Sequence, residues 1–241
     1  MSTTLASLRL VLCGADGTQG IIQDSSYYTA ITTNINLAVK AIAGGIRMPN
    51  GVISPPLPEL YDMDTVSTST TAAYKTLPSD YQRHVFMVAD ENGNQLYPPR
   101  GGDYYSFALF LRQISEKDLS QAGSVSNVCV KGTNLYYQGI PTAAYDLTVH
   151  FYRVPTDMDL VTNTTVDGIP DAFATNLIKH YVAKEIFGEG LEDSDASKGA
   201  AVKYHTLKFF EFMTDFVDFI GIDAEPQYYG DGGYQDLGIC D

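Results

Sequence analysis

Near the start of the chain Leu5, Leu8 and Leu12 recur at three- and four-residue spacing, which puts them on one face of a helix over residues 3–13. Gly14, Gly17 and Gly20 then break the pattern. The next periodic run, Tyr28, Ile31, Ile35, Ala38, Val39 and Ile42, predicts a second helix, with Asp24 or Ser25 as its cap and Gly44-Gly45 as its stop. Beyond it Pro49, Pro55, Pro56 and Pro58 each remove an amide donor and fix a backbone torsion, so this stretch reads as an extended connection.

From Tyr61 to Tyr97 the period changes to two and the composition turns to Thr, Ser, Tyr and Val, the pattern of half-buried strands. "ADENGNQLY" places Asn92-Gly93 in a hairpin between "RHVFMV" and "QLYP". "DYYSFALFLRQ" reads as strand or coil, followed by a short helix at "ISEKDLSQ" that Ser115 caps and that carries Glu116 and Asp118 early. Val125 to Val130, "NLYYQG" and Asp146 to Val154 read as three further strands.

Helical spacing returns at Pro170, with Phe173, Leu177, Tyr181 and Ile186 as the stripe and Gly188 as the stop. After the polar turn "GEGLEDSDASKG", Val202, Phe209, Phe210, Met213, Phe216, Val217 and Ile220 give a last helix a broad apolar face, expected to pack on the preceding helix and on the N-terminal pair. The final 20 residues have no period. Their Tyr228, Tyr229, Tyr234, Leu237 and Ile239 are costly to leave in water, so the segment is expected to order against a neighbouring subunit or a partner. The whole reads as α+β: a helical bundle from 1–48 with 168–221, an inserted antiparallel β domain over 58–155, and an extended C-terminal arm over 222–241.

Composition agrees with a folded chain, since 44% of the 241 residues are hydrophobic and 18% are charged. With 17 Tyr and no Trp, the aromatic content suits surfaces that are both apolar and able to hydrogen-bond, a trait of contact surfaces. A net charge of −14 repels polyphosphate, so gripping nucleic acid is excluded, although an acidic wall past which DNA slides is not. Cys13, Cys129 and Cys240 are odd in number and far apart, which fits a reducing compartment and no disulfide framework. The apolar run in "MSTTLASLRLVLCG" lacks a basic flank and the length of a membrane span, so cytoplasmic assembly is expected rather than secretion.

Catalytic signatures do not emerge. His84, His150, His180 and His205 stand singly, without HExxH or HxH, and no GxSxG surrounds a serine. Gly14-x-x-Gly17-x-x-Gly20 lacks the spacing of a dinucleotide loop. Asp90, Asn92 and Asn94 imitate the start of a calcium loop, but Gln95 and Gly101 occupy its sixth and twelfth positions, so a hairpin is the reading. Glu189, Glu192, Asp193 and Asp195 cluster in a turn where nothing local would raise a carboxyl pKa, and Arg100 reads as a loop cation. No catalytic residue, cofactor or metal is expected.

The order of these pieces is informative. A helix is followed by the strand entry Leu77-Pro78 with Asp80, the hairpin, an "SxxDL"-like start from Ser115 to Leu119, and the strand pair in "SNVCVKGTNLYYQGIP". Tyr152-Arg153-Val154-Pro155 and Ile169-Pro170, leading into Phe173, Leu177 and Ile178, complete the set. Over Ser26 to Ile220 the chain resembles the head-to-tail adaptor, or connector, proteins of tailed bacteriophages, particularly those of short-tailed phages. It departs from them in lacking tryptophans and in a longer segment from Pro98 to Phe110. The resemblance implies a structural virion protein at the head-tail junction. Twelve copies would form a ring under the portal protein and meet tail or nozzle proteins below, and DNA would leave through the lumen without sequence-specific binding. It implies no membrane partner. Two other classes stay open: an adaptor that also cuts peptidoglycan, with Glu189, Glu192 or Glu211 as acids, and a tail-tube or tail-terminator protein, richer in β structure and without the long C-terminal helices.

Overall fold

A computed structural model describes residues 2–14, 30–114, 119–189 and 196–221. Gly17, Gly20, Asp24, Ser25, Tyr28, the proposed cap at Ser115 with Glu116 and Asp118, and the arm 222–241 lie outside the described residues. In chain order the elements are α1 (Leu5–Cys13), α2 (Ile31–Gly44), β1 (Tyr61–Ser67), β2 (Tyr74–Thr76), β3 (Tyr81–Ala89), β4 (Gln95–Leu96), α3 (Phe107–Gln113), β5 (Val128–Lys131), β6 (Asn134–Tyr137), β7 (Asp146–Arg153), α4 (Asp171–Glu189) and α5 (Ala196–Ile220). This is α+β, with N- and C-terminal helices and an inserted antiparallel region. The described residues fall into two compact units, a helical one from 2–60 with 154–221 and a β unit, Tyr61–Arg153.

In the helical unit, α1 opens with a reciprocal cap: Ser7 N donates to Thr4 Oγ1 at 3.1 Å and Thr4 N donates to Ser7 Oγ at 3.0 Å. Leu5, Leu8 and Leu12 are fully buried, and Gly14, at φ 76°, closes the helix. α2 buries Ile31, Ile35, Ala38, Val39 and Ile42. Both helices pack on α4, whose buried face is Ala174, Leu177, Ile178, Val182, Ala183 and Ile186. Burial of each leucine or isoleucine contributes about 1.5–3 kcal/mol. Pro170 precedes α4, and its carbonyl accepts from Phe173 N and Ala174 N.

Two expectations change here. α5 buries a narrow stripe, His205, Phe209, Met213 and Phe216, while Val202, Phe210, Val217 and Ile220 are only half-buried. Its packing partner is α4, and α1 and α2 touch it marginally at most, because one stripe at four-residue spacing can face only one neighbour. The proline segment is also more ordered than an extended connection. Met48 N donates to Val52 O, Ser54 N donates to Ile46 O, and Pro58–Leu60 forms a 3₁₀ turn that buries Leu60.

The β unit holds two antiparallel sheets, β1-β7-β3-β4 and β2-β6-β5. Leu147, Val149 and Phe151, alternate residues of β7, are fully buried in a core shared with Val66, Val85, Val88, Val128, Val130, Leu135 and Tyr137. β3 and β4 pair through Val88–Leu96 and Ala89–Gln95. The loop between them is built on Asp90, whose carboxylate accepts from Asn92 N and Asn94 N, with Gly93 at φ 79°. These hydrogen bonds, led by that of the Asn94 side chain, hold the Asp90 carboxyl below the ordinary range. The calcium-like spelling is therefore a hairpin turn.

The reading of "DYYSFALFLRQ" as strand or coil is overturned: Phe107–Gln113 is helical. Ser106 donates through its amide and its hydroxyl to Asp103, which turns the chain, and Phe110 and Ile114 then sink against Cys129 with Phe107 beside them. A short apolar run carries too few turns to declare its period.

Tyrosine hydroxyls close several backbone gaps in this unit. Tyr104 donates to Leu96 O at 2.8 Å. Tyr137, fully buried, donates to Ala72 O and accepts from Ser69 N. Tyr145 accepts from Val125 N. In β3 a bulge between Arg83 and Met87 puts His84 at φ 54°, and the Val85 amide is caught by the Tyr105 hydroxyl, itself bonded to Tyr81. Burial there pushes Tyr105 ionisation far above its ordinary value. Some of the tyrosines therefore serve the backbone of this unit, while Tyr61, Tyr74 and Tyr97 stay exposed.

Candidate functional site

Of the candidate acids, only Glu211 has a described side chain. It lies exposed on α5 and accepts from Lys208 at 2.7 Å, on an open helix face rather than in a cleft. Glu189 ends α4 with its side chain outside the description, and Glu192, Asp193 and Asp195 lie outside the described residues. Cys13 and Cys129 are buried free thiols. Burial raises both pKa values, that of Cys129 to about 12, which makes them poor nucleophiles. Among the described residues no group of three or more His, Cys, Asp or Glu is placed to hold a metal.

The histidines are not all solitary. His180 on α4 and His205 on α5 meet with their Nδ1 atoms 2.8 Å apart, both buried, within a sheath of Phe187, Tyr204 and Phe212. One ring must donate and the other accept. Burial first, then Lys179 and His205, lowers the His180 pKa to about 4, while burial and Lys179 lower that of His205. Their helical register was the available signal: His180 falls three residues after Leu177 and His205 four before Phe209, on buried faces.

Surfaces remain. In the helical unit, Asp159 organises a turn: its carboxylate accepts from Val161 N and Thr162 N at 2.6 Å each and from the Thr162 hydroxyl. Those bonds, the hydroxyl's first, lower its pKa to about 2. The turn is tied to α2, because Asn36 exchanges two hydrogen bonds with Met158 and Lys40 pairs with Asp157 at 2.7 Å. At its tip Leu160 and Val161 are 56% and 85% exposed. An apolar tip on a braced turn is suited to binding, since its backbone is ordered before a partner arrives. Val52 and Ile53 form a second exposed apolar tip, and in the β unit Tyr61 and Met63 are exposed on β1. The residues expected to bind partners, Tyr228, Tyr229, Tyr234, Leu237 and Ile239, lie outside the described residues.

No helix among the described residues is long and apolar enough to cross a membrane. The profile of the SU10 adaptor protein family matches residues 5–232, a span that runs through both units. The chain belongs to the SU10 adaptor protein family. It is thus a bacteriophage head-to-tail adaptor, a structural protein of the virion that associates with other head and tail components. No curated protein matches the chain.

Proposed function

We propose that this adaptor works as a ring of twelve copies beneath the portal of a short-tailed phage, continuing the DNA channel toward the tail. The family match across both units carries this reading. An excess of 29 acidic over 15 basic side chains supports a lumen past which DNA slides during ejection without being held. A ring needs two different faces per subunit, and braced apolar tips such as Leu160-Val161 are the kind of surface such faces use. The segment 222–241, through Tyr228, Tyr229, Tyr234, Leu237 and Ile239, serves as an arm onto the portal or a neighbouring subunit.

Electron microscopy of the purified chain mixed with portal rings tests the proposal. Rings capped by adaptor density are expected, and loss of that density on deleting 222–241, with the truncated chain still folded, assigns the arm. Portal rings that stay bare with the full chain overturn the connector reading.

A further inference from the structure

β1 is the outer strand of the four-stranded sheet, and all seven of its residues pair with β7. The opposite edge, β4, is only two residues long. An outer strand of seven residues is a template on which another strand can pair. On β1 the inward face carries Asp62, Asp64 and Val66, opposite Phe151, Val149 and Leu147, all three fully buried. Val66 fits that apolar row and joins the core, but the two aspartates break the alternation that burial asks for. Each carboxylate turns its Oδ1 to the strand's own free side, while Oδ2 of Asp62 lies 3.7 Å from Arg153 Nε on β7. Met63 N donates to Asp62 Oδ1 at 2.8 Å and Thr65 N donates to Asp64 Oδ1 at 2.7 Å. These amides are two residues apart and so point the same way, off the sheet.

We propose that Asp62 and Asp64 are edge guards, which keep β1 from pairing with β1 of a second copy of this chain by occupying the outward amides of Met63 and Thr65. The antiparallel register that would pair the whole strand with its copy sets Asp64 against Asp64, so charge opposes the same contact that the hydrogen bonds block. The inference concerns the strand edge alone and does not depend on the ring reading.

Sedimentation of the full chain over a range of concentrations tests it. Asp62→Thr with Asp64→Thr keeps strand propensity and removes both acceptors, and a concentration-dependent doubling of mass relative to the wild type is expected. Asp62→Asn with Asp64→Asn retains an amide acceptor without the charge, and should sediment as the wild type does. Thr65→Pro in the threonine background deletes an outward donor, and should reverse the association. A threonine variant that sediments as the wild type does, or whose association survives Thr65→Pro because it comes from unfolding, overturns the proposal. Equal association of the asparagine variant overturns the role of the hydrogen bonds.

Discussion

In the helical unit the decisive positions are side-chain volumes on repeating faces: Leu5, Leu8 and Leu12 on α1, Ile31, Ile35 and Ile42 on α2, Leu177, Ile178 and Val182 on α4, all fully buried. In the β unit many decisive positions are places where the backbone does something unusual, and a glycine or a tyrosine hydroxyl accommodates it. Gly139, at φ 85°, has Ser124 O only 2.3 Å from where a Cβ would sit. The bulge at His84 leaves an amide that the Tyr105 hydroxyl meets. The first kind of order tolerates any residue of similar volume, and the second tolerates almost none.

The sharpest way to break this contrast is one substitution made in each unit. Gly139→Ala drives a methyl into backbone that cannot step aside, and should cost on the order of 4 kcal/mol. Gly168, at φ 80°, meets the Leu60 side chain at 2.6 Å instead, and a side chain can turn away. Gly168→Ala should therefore cost about half as much, on the order of 2 kcal/mol. Urea unfolding followed by amide exchange in each unit checks both. Equal losses would mean that the units do not differ in this way.

Next, Leu177→Ala should cost about 3 kcal/mol, through lost burial and the cavity left between α4 and its neighbours. Leu177→Met, which preserves volume, should stay under about 1.5 kcal/mol. A methionine variant as unstable as the alanine one would show that α4 is held by shape rather than by volume, which would erase the distinction.

The same difference explains what could be read in advance. A stripe at helical spacing is written in residue types, so α1, α2, α4 and α5 and most of the strands are visible in the chain. The packing of α5 on the preceding helix was visible too, but the expected contact with the N-terminal pair is marginal at most, because a stripe tells how much surface is apolar and not everything that covers it. α3 was misread because seven residues span two turns, and its position is decided by Asp103, Ser106 and Cys129. The number of tyrosines was visible but its use was not, since a hydroxyl finds its carbonyl only after the strands have met. Of the surface, the Asp159 turn was written in the cluster of Asp, Thr and Asn around Leu160-Val161, a turn composition that invites such caps. The function was legible through the order of elements rather than through any residue that acts.

Tyr137→Phe sharpens the contrast from the β side. The ring keeps its place, yet Ala72 O and Ser69 N lose their shared partner. A loss of about 2 kcal/mol is expected for a change of one oxygen atom. Thermal melting decides, because a loss near zero would show that the ring, not the hydroxyl, is what the core needs, as in the helical unit.

The smallest effect reverses the roles, since here the helical unit depends on a polar pair. Between His180 and His205 only one proton fits comfortably, and a second would set two N–H groups face to face. Lys179 and Lys208 oppose protonation of His180, and Glu211 favours it more weakly. The unfolded histidine takes up its proton near pH 6.5, whereas folded His180 resists until about pH 4. Stability is therefore complete above pH 6.5 and declines as the pH falls toward 4, the loss reaching on the order of 1 kcal/mol about one unit below pH 6.5. Burial also lowers the pKa of His84 and of His150 in the β unit, but those rings sit beside tyrosines, His84 edge-on to Tyr105 and His150 bonded to Tyr61. The double change His180→Leu and His205→Leu should thus flatten the acid response of the helical unit while leaving that of the β unit, as read by amide exchange at each end of that pH range. A helical unit that still loosens in acid without the pair would move the source to its carboxylates, of which Asp159, held near 2, would be the last to give way.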